Sequence, residues 1–163
     1  MATVLGMLRR FERLDSEQML LNTMKESADD IRDINLEQMY DGKTSEGVDI
    51  TPSYLDDPYW DEHGGLPAAE AYSAWKDQIT PNPRRHRHTP NLFINGYYHS
   101  SIRVTVNGAK ITWNSTFDDM NDISEKFKNI YGLGGVYKDV FLRTYLAPVL
   151  REKMFKAVGL LMK

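Results

Sequence analysis

Apolar positions in the first forty residues recur at threes and fours. Val4, Leu5, Leu8 and Phe11 predict a short helix over 3–14. Asp15 with Gln18 three residues later resembles a capping box, which can start a second helix or kink the first. Leu20, Leu21, Met24, Ala28, Ile31 and Ile34 then carry an amphipathic stripe to about Met39. The stretch 41–66, rich in Gly, Pro and acid, breaks the period and reads as a long loop with one short strand at Val48–Thr51. Its Tyr54, Tyr59 and Trp60 argue against plain disorder and for docking on a surface. Ala68, Ala71, Tyr72 and Trp75 return to helical spacing. Residues 80–91, "TPNPRRHRHTPN", hold three prolines and read as an exposed loop with the chain's densest positive charge.

The pattern then switches to period two. In "SIRVTVNGAKITW", Ile102, Val104 and Val106 alternate with Arg103 and Thr105, and Ile111 and Trp113 alternate with Lys110 and Thr112. A hairpin turning at Asn107-Gly108 would pair Val106 with Ala109, Val104 with Ile111 and Ile102 with Trp113. One face is apolar and the other hydrophilic. Beyond it, Met120, Ile123, Phe127 and Ile130 predict a helix capped by Ser115 or Thr116 and ended by Gly132 or Gly134. Val140, Phe141, Tyr145, Val149 and Phe155 carry a last helical segment from Val136 to Met162, with Pro148 kinking it or opening a new helix. The expectation is one α+β domain spanning 1–163: N-terminal amphipathic helices, a small antiparallel sheet with a central hairpin at about 97–114, and C-terminal helices.

Composition narrows the chemistry. With no cysteine, disulfides, zinc–thiolate sites and thiol nucleophiles are excluded. The N-terminus lacks a leader's apolar core and no stretch is long enough for a membrane span, so a soluble protein is expected. The net charge of −3 gives no general argument for nucleic-acid binding. Its distribution says more. From Asp29 to Glu62 acids outnumber bases eleven to two, whereas from Lys76 to Lys110 bases outnumber acids six to one. Either these are solvated surfaces, or an acidic face of one copy meets a basic face of the next.

No motif commits to catalysis. His86 and His88 form an H-x-H pair, with His63 and His99 elsewhere, but Arg84, Arg85 and Arg87 would repel a cation there. Asp118, Asp119 and Asp122 lack the calcium-loop spacing and suit a helix N-terminus. Asp56-Asp57 reads as a turn before Pro58 in preference to a carboxylate pair. "GLGGVYKD" lacks both phosphate-binding glycine patterns, and the Asn114–Thr116 sequon matters only in a secreted protein. No catalytic residue, metal ligand or cofactor is assigned. "RRHRH" with nearby Tyr97 and Tyr98 is the best nucleic-acid signal, arginines for phosphates and tyrosines for bases.

The order of the remaining motifs is familiar. "NLEQMYDGKTSEGVDITPSY" (35–54), "AYSAWKDQI" (71–79), "PNLFINGYYHSSIRVTVNGAKITWNS" (90–115) and "ISEKFKNIYGLGG" (123–135) follow one another as in the neck and tail-completion proteins of tailed bacteriophages, in forms common among phages of Bacteroidetes-type hosts, which the chain resembles over about two-thirds of its length. Lys43, "INGYY" and the insert "LDDPYWDEHGGLPAAE" depart from the pattern. The resemblance implies a non-enzymatic virion subunit, made in the host cytoplasm. It would assemble as a homo-oligomeric ring, of six or twelve copies, between portal or adaptor and tail, with DNA passing through the lumen. On that reading Arg84, Arg85, Arg87, Arg103 and Lys110 on one side, and Asp56, Asp57, Tyr59 and Trp60 on the other, are the expected partner-binding residues. The rival readings are a nucleic-acid module using 84–88 and a metal-dependent hydrolase built on the histidines.

Overall fold

The computed structural model describes residues 4–160. Residues 1–3 and 161–163, and with them the expected helix ends at Thr3 and Met162, lie outside the described residues, as do the side chains of Val4, Met7 and Met120. The fold is α+β, as the patterning predicts: helices before and after a two-stranded antiparallel hairpin.

Helix α1 (Val4–Glu12) is followed by α2 (Ser16–Glu26), whose N-cap is Asp15; its carboxylate accepts from the Gln18 N–H at 2.9 Å. The single helix expected to Met39 is in fact two. It breaks at Ser27, and α3 runs from Ala28 to Tyr40. Two things favour the break. The Thr23 hydroxyl donates back to the Met19 carbonyl at 2.7 Å, a bond that bends helices. Both halves touch the hairpin, but α2 also lies along the C-terminal helix, whereas α3 packs against the helical segments that precede it.

Strands β1 (Ile102–Asn107) and β2 (Lys110–Ser115) follow a short α5 (Tyr97–Ser101). The turn is one residue further on than Asn107-Gly108. Gly108 and Ala109 form the two-residue loop, and Gly108 alone has positive φ, +57°, as a type II′ turn requires of its first central residue. Asn107 therefore opposes Lys110, Val106 opposes Ile111, Val104 opposes Trp113 and Ile102 opposes Ser115. The expected pairs are displaced by two along β2, an even shift, so both strands keep their apolar faces. Ile102 and Val106 are buried. Ile31, Ile34, Phe141 and Leu146 pack around Val106, and Met39, Ile50, Tyr98 and Ile130 around Ile102, with Trp113 touching both clusters.

The expected strand at Val48–Thr51 is absent; Asp49 forms only an isolated bridge with Lys43. A 3-10 turn (Pro58–Asp61) leads into α4 (Gly65–Ile79). The buried face of α4 is Ala69, Ser73 and Lys76, continued by Thr80, and not the expected Ala68–Trp75 stripe. Helix α6 (Met120–Lys126) is shorter than its stripe predicts and starts after Asp119, whose side chain makes no capping bond; Ser115 accepts instead from the Phe117 N–H. Phe127 turns extended and Asn129 takes φ +56°, so Ile130 reaches the core from a loop. Finally α7 (Gly135–Val140), a π-turn (Phe141–Leu146) and α8 (Ala147–Val158) form consecutive helical segments. Pro148 lies in the first turn of α8 and has no N–H to donate. The widened turn before it, where the Ala147 N–H reaches back to the Leu142 carbonyl, is how the helical path accommodates the ring. Among the described residues no helix is long and apolar enough to cross a membrane.

Candidate functional site

The acidic and basic stretches meet within the chain. The Arg84 guanidinium donates to Glu37 at 2.8 Å and to Asp41 at 3.1 Å. Arg85, its side chain 2% exposed, donates to Asp77 at 2.7 Å and to the Thr80 hydroxyl and carbonyl. His86 joins Asp49 at 2.7 Å, and Lys43 joins the other oxygen of Asp49 at 2.5 Å. Burial raises the Asp49 carboxyl, but hydrogen bonds from Lys43 and His86 outweigh it and hold the group below the ordinary carboxylate range. The loop expected to be an exposed basic surface is therefore largely neutralised by its own chain. Of the three arginines only Arg87 has no ion pair among the described residues. Reversing Arg84 and Arg85 to glutamate is accordingly expected to destabilise the fold by about 3 kcal/mol or more, by placing acid beside Asp41 and Asp77. Arg87→Glu should shift stability by less than about 0.5 kcal/mol. Urea unfolding of the three single variants separates these outcomes.

The other expected contact residues are placed differently. Arg103 folds back on its own backbone, donating to the Ser100 and Ile102 carbonyls at 2.6 and 2.8 Å. Lys110 is exposed at the hairpin turn. Asp56 accepts from the Ser53 hydroxyl. Asp57 caps the 3-10 turn through the Tyr59 N–H and pairs with Lys126 at 2.5 Å. The histidines do not converge. His63 stacks on Tyr59, His88 meets the Ser73 hydroxyl, and His99 is buried beside Phe93. Among the described residues no three groups of metal-ligating type lie close enough together to hold an ion.

Tyr59 and Trp60 do take part in a site, as one wall of an aromatic cleft of about 550 Å³. Tyr54 and Tyr72 continue that wall through edge and tilted ring contacts, and Phe93, Ile94, Tyr98, Phe117 and Phe127 form the opposite side. The Asp57–Lys126 pair ties the two sides together, with the ammonium above the rings of Tyr59 and Phe127. At the floor lies Lys76, 1% exposed, donating to the Phe93 carbonyl and paired with no carboxylate among the described residues. Burial, and secondarily the nearby Arg85 charge, lowers its pKa to about 8. Burial also lowers His99 to about 4, against a hydrogen bond with the Asn91 backbone. Burial raises the Tyr54 and Tyr98 phenols, and Tyr98 shares a hydrogen bond with Tyr131 at 2.7 Å.

A second group of residues has a structural task. Asn35 and Gln38, buried on α3, donate to the Ile130 and Gly132 carbonyls, and Gln38 accepts from the Gly134 N–H at 3.0 Å. Buried Asp41 accepts from Tyr137 and from Asn82. Thus "NLEQMYDGKTSEG" and "YGLGG", ninety residues apart in the chain, lock together. Sequence reasoning missed Asn35, Gln38 and Lys76, and named His99 only as one of the four histidines of the hydrolase reading. For Lys76 a signal existed: Ala69, Ser73, Lys76 and Thr80 share a helical face of small side chains, which a long one can cross. Compared with protein-family models, curated proteins and solved structures, the chain matches none.

Proposed function

We propose that the protein is a structural subunit of the bacteriophage neck, part of a head–tail connector or tail-completion ring that joins portal or adaptor to tail by protein–protein contacts. The observation that carries the reading is where the resembling stretches go. Two of them, 35–54 and 123–135, interlock as an internal scaffold through Asn35, Gln38 and Gly134, so what marks the family-like pattern there is a shape. Around that scaffold the chain leaves large apolar side chains exposed on α1, on α4 (Leu66, Trp75, Ile79) and on the C-terminal helices (Val136, Val140, Tyr145, Val149). Such faces suit contact with other protein copies. The nucleic-acid reading is weakened because Arg84 and Arg85 already hold carboxylates. The hydrolase reading is weakened because the four histidines have four separate environments.

Electron microscopy of the purified protein, alone and mixed with the portal–adaptor assembly of its own particle, tests this. Closed rings, or a ring of added density on the adaptor, are expected. A protein that stays monomeric and leaves the assembly unchanged would overturn the proposal.

A further inference from the structure

The cleft and helix α1 are complementary surfaces on different parts of the molecule. Leu5, Leu8 and Phe11 lie three residues apart on one side of α1 and are 60%, 54% and 39% exposed. The helix leans on α8, where Arg10 reaches the Val158 carbonyl, yet this apolar row faces outward. A nine-residue helix gains too little from its own hydrogen bonds to persist with such a row in water, so a partner surface is called for. Beside the row, exposed Arg9 and Arg13 have no carboxylate partner among the described residues.

The cleft offers the converse. Its walls are aromatic and apolar, and Ile94 at its edge is 58% exposed. Of the acids in segment 56–62, Asp57 lines the cleft, and Asp56, Asp61 and Glu62 are its neighbours in sequence, with no base in the segment. Lys126 offsets Asp57, while Asp61 and Glu62 stay exposed. An apolar row beside Arg9 and Arg13 matches an apolar cleft beside Asp61 and Glu62, all four without an ion pair among the described residues.

We propose that the aromatic cleft is the docking site for helix α1 of a second copy of this chain, with Leu5, Leu8 and Phe11 entering between the ring walls and Arg9 and Arg13 facing Asp61 and Glu62. The inference rests on the ring reading and names the contact that builds it. Because donor and acceptor surfaces differ, the contact is head-to-tail; repeated, it closes into a ring if the rotation permits and otherwise runs on as a filament.

The absence of native cysteine allows a direct test. Leu8→Cys and Ile94→Cys are introduced into separate preparations, mixed at about 1 mM, a concentration at which contacts of millimolar affinity are half-formed, and oxidised. A disulfide dimer joining one variant to the other is expected. Leu8→Cys mixed with Thr105→Cys, on the hydrophilic face of β1, should give none. Leu8→Glu, at an exposed position, should keep the wild-type urea midpoint and weaken self-association by about 30-fold in sedimentation. Glu introduced at Arg9 and Arg13 should weaken it as well, and Arg introduced at Asp61 and Glu62 of the partner copy should restore it. If Leu8→Glu associates normally, or if the control pair cross-links as well as the Leu8–Ile94 pair, the docking is wrong. If that happens while the subunit still enters rings on the adaptor, the cleft takes another virion protein or a small apolar ligand and the ring reading survives. A protein that neither self-associates nor joins the adaptor overturns both.

Discussion

Gly134→Ala is expected to abolish folding, or to leave a protein destabilised by about 4 kcal/mol or more. The backbone there is ordinary, with φ −126° and ψ 162°, so conformational strain is not the reason. Space is. A methyl group at Gly134 would overlap the carbonyl of Ser45 and press on the Gly47 amide. Both obstacles are main chain and cannot rotate away. Displacing them would also break the bond from the Gly134 N–H to Gln38, the bonds from Gln38 and Asn35 to Gly132, and the neighbouring bond from the Ser45 N–H to Asn129. Against a total stability of roughly 5–15 kcal/mol, that loss decides whether the protein folds. Gly108→Ala is the control. It lies at φ +57° but meets nothing within 4 Å, so it should cost only about 1 kcal/mol, for the left-handed backbone. Ser45→Gly should not rescue Gly134→Ala, because the clash is with a backbone carbonyl. Chemical denaturation and soluble yield of the four proteins check the set.

The same locus shows what can be read from the chain. Period-two alternation and helical stripes mark the hairpin and most helices, because burying one face is a local demand that the residues state directly. Details that depend on a partner are less legible. A break at Ser27 has no glycine or proline to announce it; beyond the hairpin that both touch, α2 lies along α8 and α3 along α7 and the π-turn. The turn at Gly108-Ala109 differs from the Asn107-Gly108 reading because one glycine can supply positive φ at either central position. The charged stretches are visible in the sequence, and so is their attraction for each other. That they meet within one chain depends on the path of loop 80–91 past α3, which no local pattern encodes. Tyr59 and Trp60 stand out as docking aromatics, and the structure gives them a cleft. Lys76 is marked only by the small side chains of Ala69 and Ser73 on its helical face; taken by itself, a lysine on an amphipathic helix looks like solvent-facing charge.

Stability should rise in two steps with pH and then fall, and the steps should belong to His99 and Lys76. Each is a base whose pKa is lowered in the folded protein, so folding favours the neutral form. For His99, lowered by burial to about 4, both folded and unfolded forms are neutral well above 6.5, and no cost arises. As pH falls from 6.5 through 4, the unfolded chain takes up the proton first. The folded state then loses roughly 3 kcal/mol, since each tenfold difference in proton affinity between the two states is worth about 1.4 kcal/mol. Lys76 follows the same sign at higher pH. Below about 8 its buried ammonium costs the fold; as pH rises from 8 toward 10.5 the unfolded chain keeps the proton longer, and stability climbs by a similar amount. The climb is cut short near pH 10, where Tyr54, Tyr98 and Tyr137, raised by burial, begin to ionise in the unfolded chain only. Urea midpoints measured from pH 4 to 10 should show both limbs. His99→Phe should flatten the acid limb. Lys76→Met should flatten the alkaline one and raise stability at neutral pH by about 1–3 kcal/mol, since relief of an unpaired buried cation outweighs the lost hydrogen bond to the Phe93 carbonyl. A Lys76→Met protein that is less stable at neutral pH would mean that the lost hydrogen bond to the Phe93 carbonyl outweighs relief of the buried charge.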